Sequence, residues 1–145
     1  MLAGIAAMLM AASAQASAAE IADIRMHLFY RASGRLSDDI SPPRAFVGWN
    51  TLIGEGDAEE PADDLLVVVQ VRSEGEQYIE TPLHILARGR GGRVIAERRF
   101  DALLTSPDGA AFSPLWLADV PCEGEISVVA TFGNQRLSET LTLNC

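Results

Sequence analysis

The stretch Cys122–Cys145, CEGEISVVATFGNQRLSETLTLNC, decides the fold. Its two cysteines stand at equal distances from the Gly133-Asn134 dipeptide, and apolar residues alternate with polar ones on both sides of it. Alternation marks a half-buried strand, and a glycine–asparagine pair between two such runs marks a tight hairpin turn. With the turn centred there, Ile126 falls opposite Leu141, Ala130 opposite Leu137 and Cys122 opposite Cys145. One face then carries Ile126, Val128, Ala130 and Phe132 with Leu137, Leu141 and Leu143, and the cysteines fall on the same side. Glu139, opposite Val128, interrupts this set and is expected at a rim. The pattern predicts a Cys122–Cys145 disulfide across the open end of the hairpin, worth about 3 kcal/mol in the chain-entropy model. Such a bond belongs to an oxidising compartment.

Upstream, the same period of two recurs. Ile24, Met26, Leu28 and Tyr30 alternate with Arg25, His27, Phe29 and Arg31, which predicts a half-buried first strand. Residues 32–44 are polar and hold Pro42-Pro43, so they read as a loop. A short apolar segment, Phe46 to Ile53, precedes Gly54 and Gly56, and Leu65 to Val71 is a nearly continuous apolar run, expected at the centre of a sheet. Leu83–Arg88 and Arg93–Phe100 flank Gly89-Arg90-Gly91-Gly92 as a second hairpin. Ser106-Pro107-Asp108-Gly109 is a turn in which proline presets φ and glycine supplies a permissive one. A further strand, Ala111 to Ala118, carries Trp116. Seven or eight short strands with no convincing helix beyond the N-terminal segment predict an all-β fold, an immunoglobulin-like two-sheet antiparallel sandwich, with a small β-barrel as the alternative. In such a sandwich Trp116 is expected on the core beside the disulfide.

The N-terminal segment supports export. Residues 1–19 carry no charge, Leu2 to Ala12 form an apolar run, and Ala14-Gln15-Ala16 and Ala16-Ser17-Ala18 match small-x-small cleavage patterns. The segment has no basic n-region. Residues 1–19 are read as a signal peptide and 20–145 as one β-sandwich domain, periplasmic or secreted, with no membrane span once the signal is removed. The net charge of −9 disfavours nucleic acid, which requires basic surface. All eleven basic residues are arginine.

Chemistry-bearing motifs are sparse. Six of the ten residues from Glu55 to Asp64 are carboxylates. Glu55, Asp57, Glu59, Asp63 and Asp64 are the candidate ligands for a Ca²⁺ ion, against the alternative of a solvated loop that keeps the adjacent apolar strand soluble. The spacing does not follow the twelve-residue calcium loop. Arg88, Arg90, Arg93, Arg98 and Arg99 concentrate five of the eleven arginines in one hairpin, a candidate surface for a protein or envelope partner. His27 and His84 are the only histidines and have no metal-ligand or triad spacing. No phosphate loop, nucleophile elbow or dinucleotide fingerprint occurs. Trp49 stands in a glycine-flanked segment, Phe46 to Gly56, and reads more readily as a core anchor than as part of a groove. The part from Trp49 to Gly56 resembles small secreted bacterial β-sandwich proteins of unassigned function, a resemblance that implies no activity. The expectation is a non-enzymatic exported domain that binds a protein or cell-envelope partner and needs no cofactor. The alternatives are a small periplasmic hydrolase or metal-dependent enzyme using His27 or His84, and a calcium-stabilised adhesion module.

Overall fold

A computed structural model describes residues 19–145; the expected signal peptide, apart from Ala19, lies outside the described residues. Ten strands follow in order: β1 (Glu20–Tyr30), β2 (Gly48–Trp49), β3 (Ala62–Arg72), β4 (Tyr78–Ile79), β5 (Leu83–Arg88), β6 (Val94–Phe100), β7 (Leu103–Leu104), β8 (Ala110–Leu117), β9 (Gly124–Phe132) and β10 (Gln135–Asn144). Three of them are two-residue pairings, so seven longer strands build the fold. One sheet has the order β1-β3-β8 and the other β2-β10-β9-β5-β6, while β4 and β7 form a separate ribbon. All the longer strands pair antiparallel, and β2 alone runs parallel to its neighbour β10. This is the strand arrangement of an immunoglobulin-like sandwich. Among the described residues no helix is long and apolar enough to cross a membrane.

The core lies between the two sheets and is aliphatic. Ile24, Met26, Leu28 and Tyr30 of β1 and Leu65, Val67, Val69 and Val71 of β3 point into it from one side. Leu83, Ile85, Ile126, Val128, Leu141 and Leu143 meet them from the other. Each fully buried Val or Leu contributes about 1.5–3 kcal/mol over its exposed state. The apolar run Leu65–Val71 is the middle strand of its sheet, as its composition predicts.

The C-terminal hairpin has the expected register. Ile126 pairs with Leu141, Ala130 with Leu137, and Gln135 with Phe132 across the Gly133-Asn134 turn. Glu139 sits opposite Val128 in a half-buried position. At the open end Cys122 and Cys145 are disulfide-bonded, with Cα atoms 5.0 Å apart. The bond is solvent-exposed rather than on the apolar face, because the ladder ends at Gly124 and Asn144 before reaching the cysteines. The turn at 106–109 also forms as read: Gly109 N–H donates to Ser106 O at 2.8 Å. Gly109 has φ +76°, and a Cβ there would strike Ser73 O, so glycine is required.

Two expectations need correction. Trp116 lies on the outer face of the three-stranded sheet, 43% exposed, because Leu115 and Leu117 take the inward parity of β8. Trp49 is not a core anchor; it is 52% exposed on the two-residue edge strand β2. After β2 the segment Phe46–Ile53 turns through Asn50, whose φ is +49°, into a single 3₁₀ turn at Thr51–Ile53.

Candidate functional site

The acidic loop does not gather its carboxylates. Glu55 accepts from Asn50 Nδ2 at 3.1 Å, and Asp57 accepts from Val47 N–H at 2.8 Å. Glu59 and Glu60 both pair with Arg35, at 3.5 and 2.7 Å. The hydrogen bond from the Arg35 guanidinium holds the Glu60 carboxyl below its usual range. Asp63 pairs with Arg31 at 3.1 Å. Asp64 accepts from Trp116 Nε1 at 2.9 Å and from Asp119 N–H at 3.1 Å. Asp63, Asp64 and Asp119 therefore offer oxygens within 4.8 Å of one another, while Glu55, Asp57 and Glu59 face separate partners. Asp57 and Glu59 line a polar concavity of about 340 Å³ with Tyr30, Ser37, Asp38 and Arg44.

The five arginines of the hairpin are exposed, and each hydrogen-bonds back onto the protein. Arg93 pairs with Glu123, whose other oxygen accepts from Arg90 N–H at 3.3 Å. Arg90 Nη2 donates to Cys122 O at 2.9 Å, so this loop braces the disulfide end of β9. Arg88 donates to Gly92 O within the loop, and Arg99 pairs with Asp101. Arg98 stacks over the Phe100 ring at 4.4 Å and donates to Pro114 O at 3.2 Å, closing the seam where β6 faces β8. A concavity of about 370 Å³ lies between this loop and Glu123–Ser127.

Neither histidine lines either concavity. His27 Nδ1 lies 2.9 Å from Ser37 O, and since a carbonyl only accepts, that nitrogen carries the proton. His84 Nε2 lies 3.4 Å from Glu97 on the outer face of the five-stranded sheet.

A set of residues not singled out from sequence comes together on the outer face of the three-stranded sheet. On β8 the outward positions are Phe112, Pro114 and Trp116, all exposed and spaced i, i+2, i+4. Strand geometry puts neighbours in that row about 7 Å apart. Register carries the row across the sheet: Trp116 lies beside Leu66 and His27, Pro114 beside Val68 and Arg25, and Phe112 beside Gln70 and Asp23. The rings are held. Trp116 meets Phe29 edge-on at 5.2 Å and is tied through its N–H to Asp64, and Arg25 lies over Phe112 at 5.7 Å. Arg25 also pairs with Asp23 and donates to Gln70, each at 3.0 Å, so the charge on this face is internally matched. The signal in the sequence was the shared parity of Phe112, Pro114 and Trp116, with a proline that only an edge strand accepts.

The opposite outer face has a different composition. On the five-stranded sheet the outward positions of β9 and β10 include Glu125, Ser127, Thr131, Arg136, Ser138, Thr140 and Thr142. Its apolar contribution is Leu86 beside Val129, with Trp49 on β2 and Val94 on β6 exposed at its two edges.

No protein-family model matches the chain, and no curated protein matches it. Among solved structures, β-glucosidase 3B from Thermotoga neapolitana is similar at a TM-score of 0.46 and 12% identity, over 89% of this chain and 16% of that one. The C-terminal domain of wzt is similar at 0.44 and 14%, over 87% and 72%. The ligand binding region of serine-glutamate repeat protein A of Enterococcus faecium gives 0.33 and 8%, over 52% and 73%. This chain thus spans a small part of the glucosidase's length. None of these likenesses reaches a TM-score of 0.5, and none assigns this chain an activity.

Proposed function

We propose that this protein is an exported, non-enzymatic binding domain that recognises a protein or cell-envelope component through the outer face of β1-β3-β8. One observation carries the reading: Phe112, Pro114 and Trp116 form an exposed row of rings on a face whose central charges, Asp23 and Arg25, pair with each other. The row has no packing role in the core, and fixed aromatic side chains bind with little loss of conformational entropy. The arginine hairpin is the weaker candidate surface, because Arg90, Arg93 and Arg98 hold the framework together. The exposed disulfide and the uncharged N-terminal segment support export.

The test is sedimentation of the mature protein with the envelope fraction of the producing cell. Wild type is expected to co-sediment. A Phe112→Thr/Trp116→Thr variant is expected to bind about tenfold more weakly, as for loss of aromatic anchors. A Ser138→Ala/Thr140→Ala variant on the opposite face is expected to bind like wild type. No co-sedimentation, or equal binding by the ring variant, overturns the reading.

A further inference from the structure

We propose that the ligand of this face is a neutral polysaccharide of the cell envelope, lying along β8. The inference rests on the binding reading above and specifies its ligand.

The face is too small for a stable protein interface. Three strands about 4.8 Å apart and eight residues long present a footprint of roughly 350 Å². A standard protein partner covers about 800 Å² on each side. A single chain of rings, by contrast, needs only a narrow track, and the Phe112–Pro114–Trp116 row is one.

An extended peptide is disfavoured by the backbone of β8. A peptide would add to the sheet by pairing with the free edge of that strand. Pro114 has no N–H to give, and its carbonyl already accepts from Arg98 at 3.2 Å. The edge is blocked at its centre, and what remains available is the face.

The polar groups beside the rings fit hydroxyls. Gln70 is 3% exposed; its carbonyl oxygen accepts from Arg25, and among the described residues no acceptor takes its amide protons. Asp23 uses Oδ2 for Arg25, leaving Oδ1 buried without a donor. The unmatched Gln70 amide stands in the register row of Phe112, where a ligand oxygen can accept from it, while Asp23 Oδ1 is closed to the surface. A sugar hydroxyl is both donor and acceptor, and the C–H faces of a sugar ring pack on an aromatic side chain. An anionic polymer is disfavoured, since Asp23 and Asp64 offset Arg25 and Arg72 on this face and the whole chain carries −9. The ligand class is thus a chain of uncharged sugar rings.

The experiment treats the envelope fraction in two ways before mixing it with wild-type protein. Periodate, which cleaves vicinal diols, is expected to lower binding about tenfold, and proteinase digestion to leave it unchanged. Raising NaCl from about 50 to about 500 mM is expected to change the affinity by less than about twofold, because no ion pair forms across the interface. Titration with a neutral 1,4-linked glucose hexasaccharide, whose rings carry the vicinal diols that periodate cleaves, followed by tryptophan fluorescence in a Trp49→Phe background, then reads direct binding. A signal change that is saturable in that background and lost on adding Phe112→Thr supports the proposal. Binding that resists periodate and falls with proteinase, or that falls about tenfold with salt, overturns the polysaccharide while leaving a binding domain. Absence of any envelope binding removes both. Phe112 is 54% exposed, so its single variant retains the fold if the double variant does not.

Discussion

The two sheets of this sandwich face each other with the same kind of residue and face the outside with opposite kinds. Inward, β3 offers Leu65, Val67, Val69 and Val71, and β9 offers Ile126, Val128, Ala130 and Phe132. Outward, the three-stranded sheet shows Phe29, Leu66, Val68, Phe112, Pro114 and Trp116, whereas β9 and β10 show hydroxyls and charges. The core requires only the inward set. Solvated outer faces of antiparallel sheets are normally polar; β9 and β10 follow that rule, with Trp49 and Val94 as exceptions at the two edges of their sheet. The three-stranded sheet departs from it, and a departure that packing does not need points to recognition. The neutrality of that face, in a chain of charge −9, makes the same point from electrostatics.

The largest test of this contrast removes the disulfide. Cys122→Ser/Cys145→Ser is expected to destabilise the protein by about 3 kcal/mol, read by urea denaturation. The loss should fall on the β9–β10 hairpin and on β2, which pairs with Leu143 and Asn144 at the stapled end. Binding by the ring face should persist within about twofold while the protein remains folded, because β1, β3 and β8 belong to the other sheet. Affinity that falls in step with stability would show that the two faces are not independent.

What was legible in the sequence follows the range of the forces involved. The hairpin register was readable because alternation and turn chemistry, both local, point to the same pairing. The parity of β1 was readable because Ile24, Met26 and Leu28 oppose Arg25 and His27, an unambiguous contrast. On β8 both parities are largely apolar, Leu115 and Leu117 against Phe112 and Trp116, so hydrophobicity alone does not choose a side. The choice is made by register with β3, where Leu65 meets Leu117 and Val67 meets Leu115. The arginines show the same limit. Five charges in one hairpin are legible in the sequence, but the pairing of Arg93 with Glu123, 30 residues away, is not. In the acidic loop the six carboxylates are legible, but not that Asn50, Val47 and Arg35 engage Glu55, Asp57 and Glu60 while Asp63 and Asp64 gather with Asp119.

The seam between the faces provides the next test. Arg98 reaches from β6 to Pro114 O and stacks on Phe100, linking the charged sheet to the strand that carries the rings. Arg98→Ala is expected to cost about 1.5 kcal/mol, from one exposed charge-assisted hydrogen bond and a cation–π contact. Arg98→Lys should recover part of the stability without the planar stacking. The informative readout is the edge of β8. Freed of Arg98, the Pro114 carbonyl becomes available, while the missing proline N–H still blocks strand addition. The variant is therefore expected to elute like wild type in size-exclusion chromatography. Self-association would mean that Arg98, and not Pro114, guards that edge, and the argument against a peptide ligand would weaken accordingly.

The smallest effect concerns the far edge of the three-stranded sheet. Asp39 Oδ1 accepts from Met26 N–H at 3.0 Å, from Ser41 N–H at 3.0 Å and from the Ser41 hydroxyl at 2.7 Å, pinning the loop after β1 onto that strand. Burial pushes its carboxyl up, but the Ser41 and Met26 hydrogen bonds, with the nearby His27, together bring it below the usual value. The sign follows from linkage. A carboxyl depressed in the folded state contributes stability above its unfolded pKa of about 3.9 and loses that contribution as pH falls through the lower folded value. Asp39→Ala is expected to cost about 1 kcal/mol at neutral pH, from lost hydrogen bonds at a partly solvated site. The difference between wild type and variant should shrink below about pH 4, in urea melts taken across the acid range. Because Met26 N–H belongs to β1, hydrogen exchange at Met26 should accelerate in the variant while Ala130, in the other sheet, keeps its protection. Equal acceleration at both positions would show that the sandwich opens as one unit, and that the contrast between its sheets is confined to what they display.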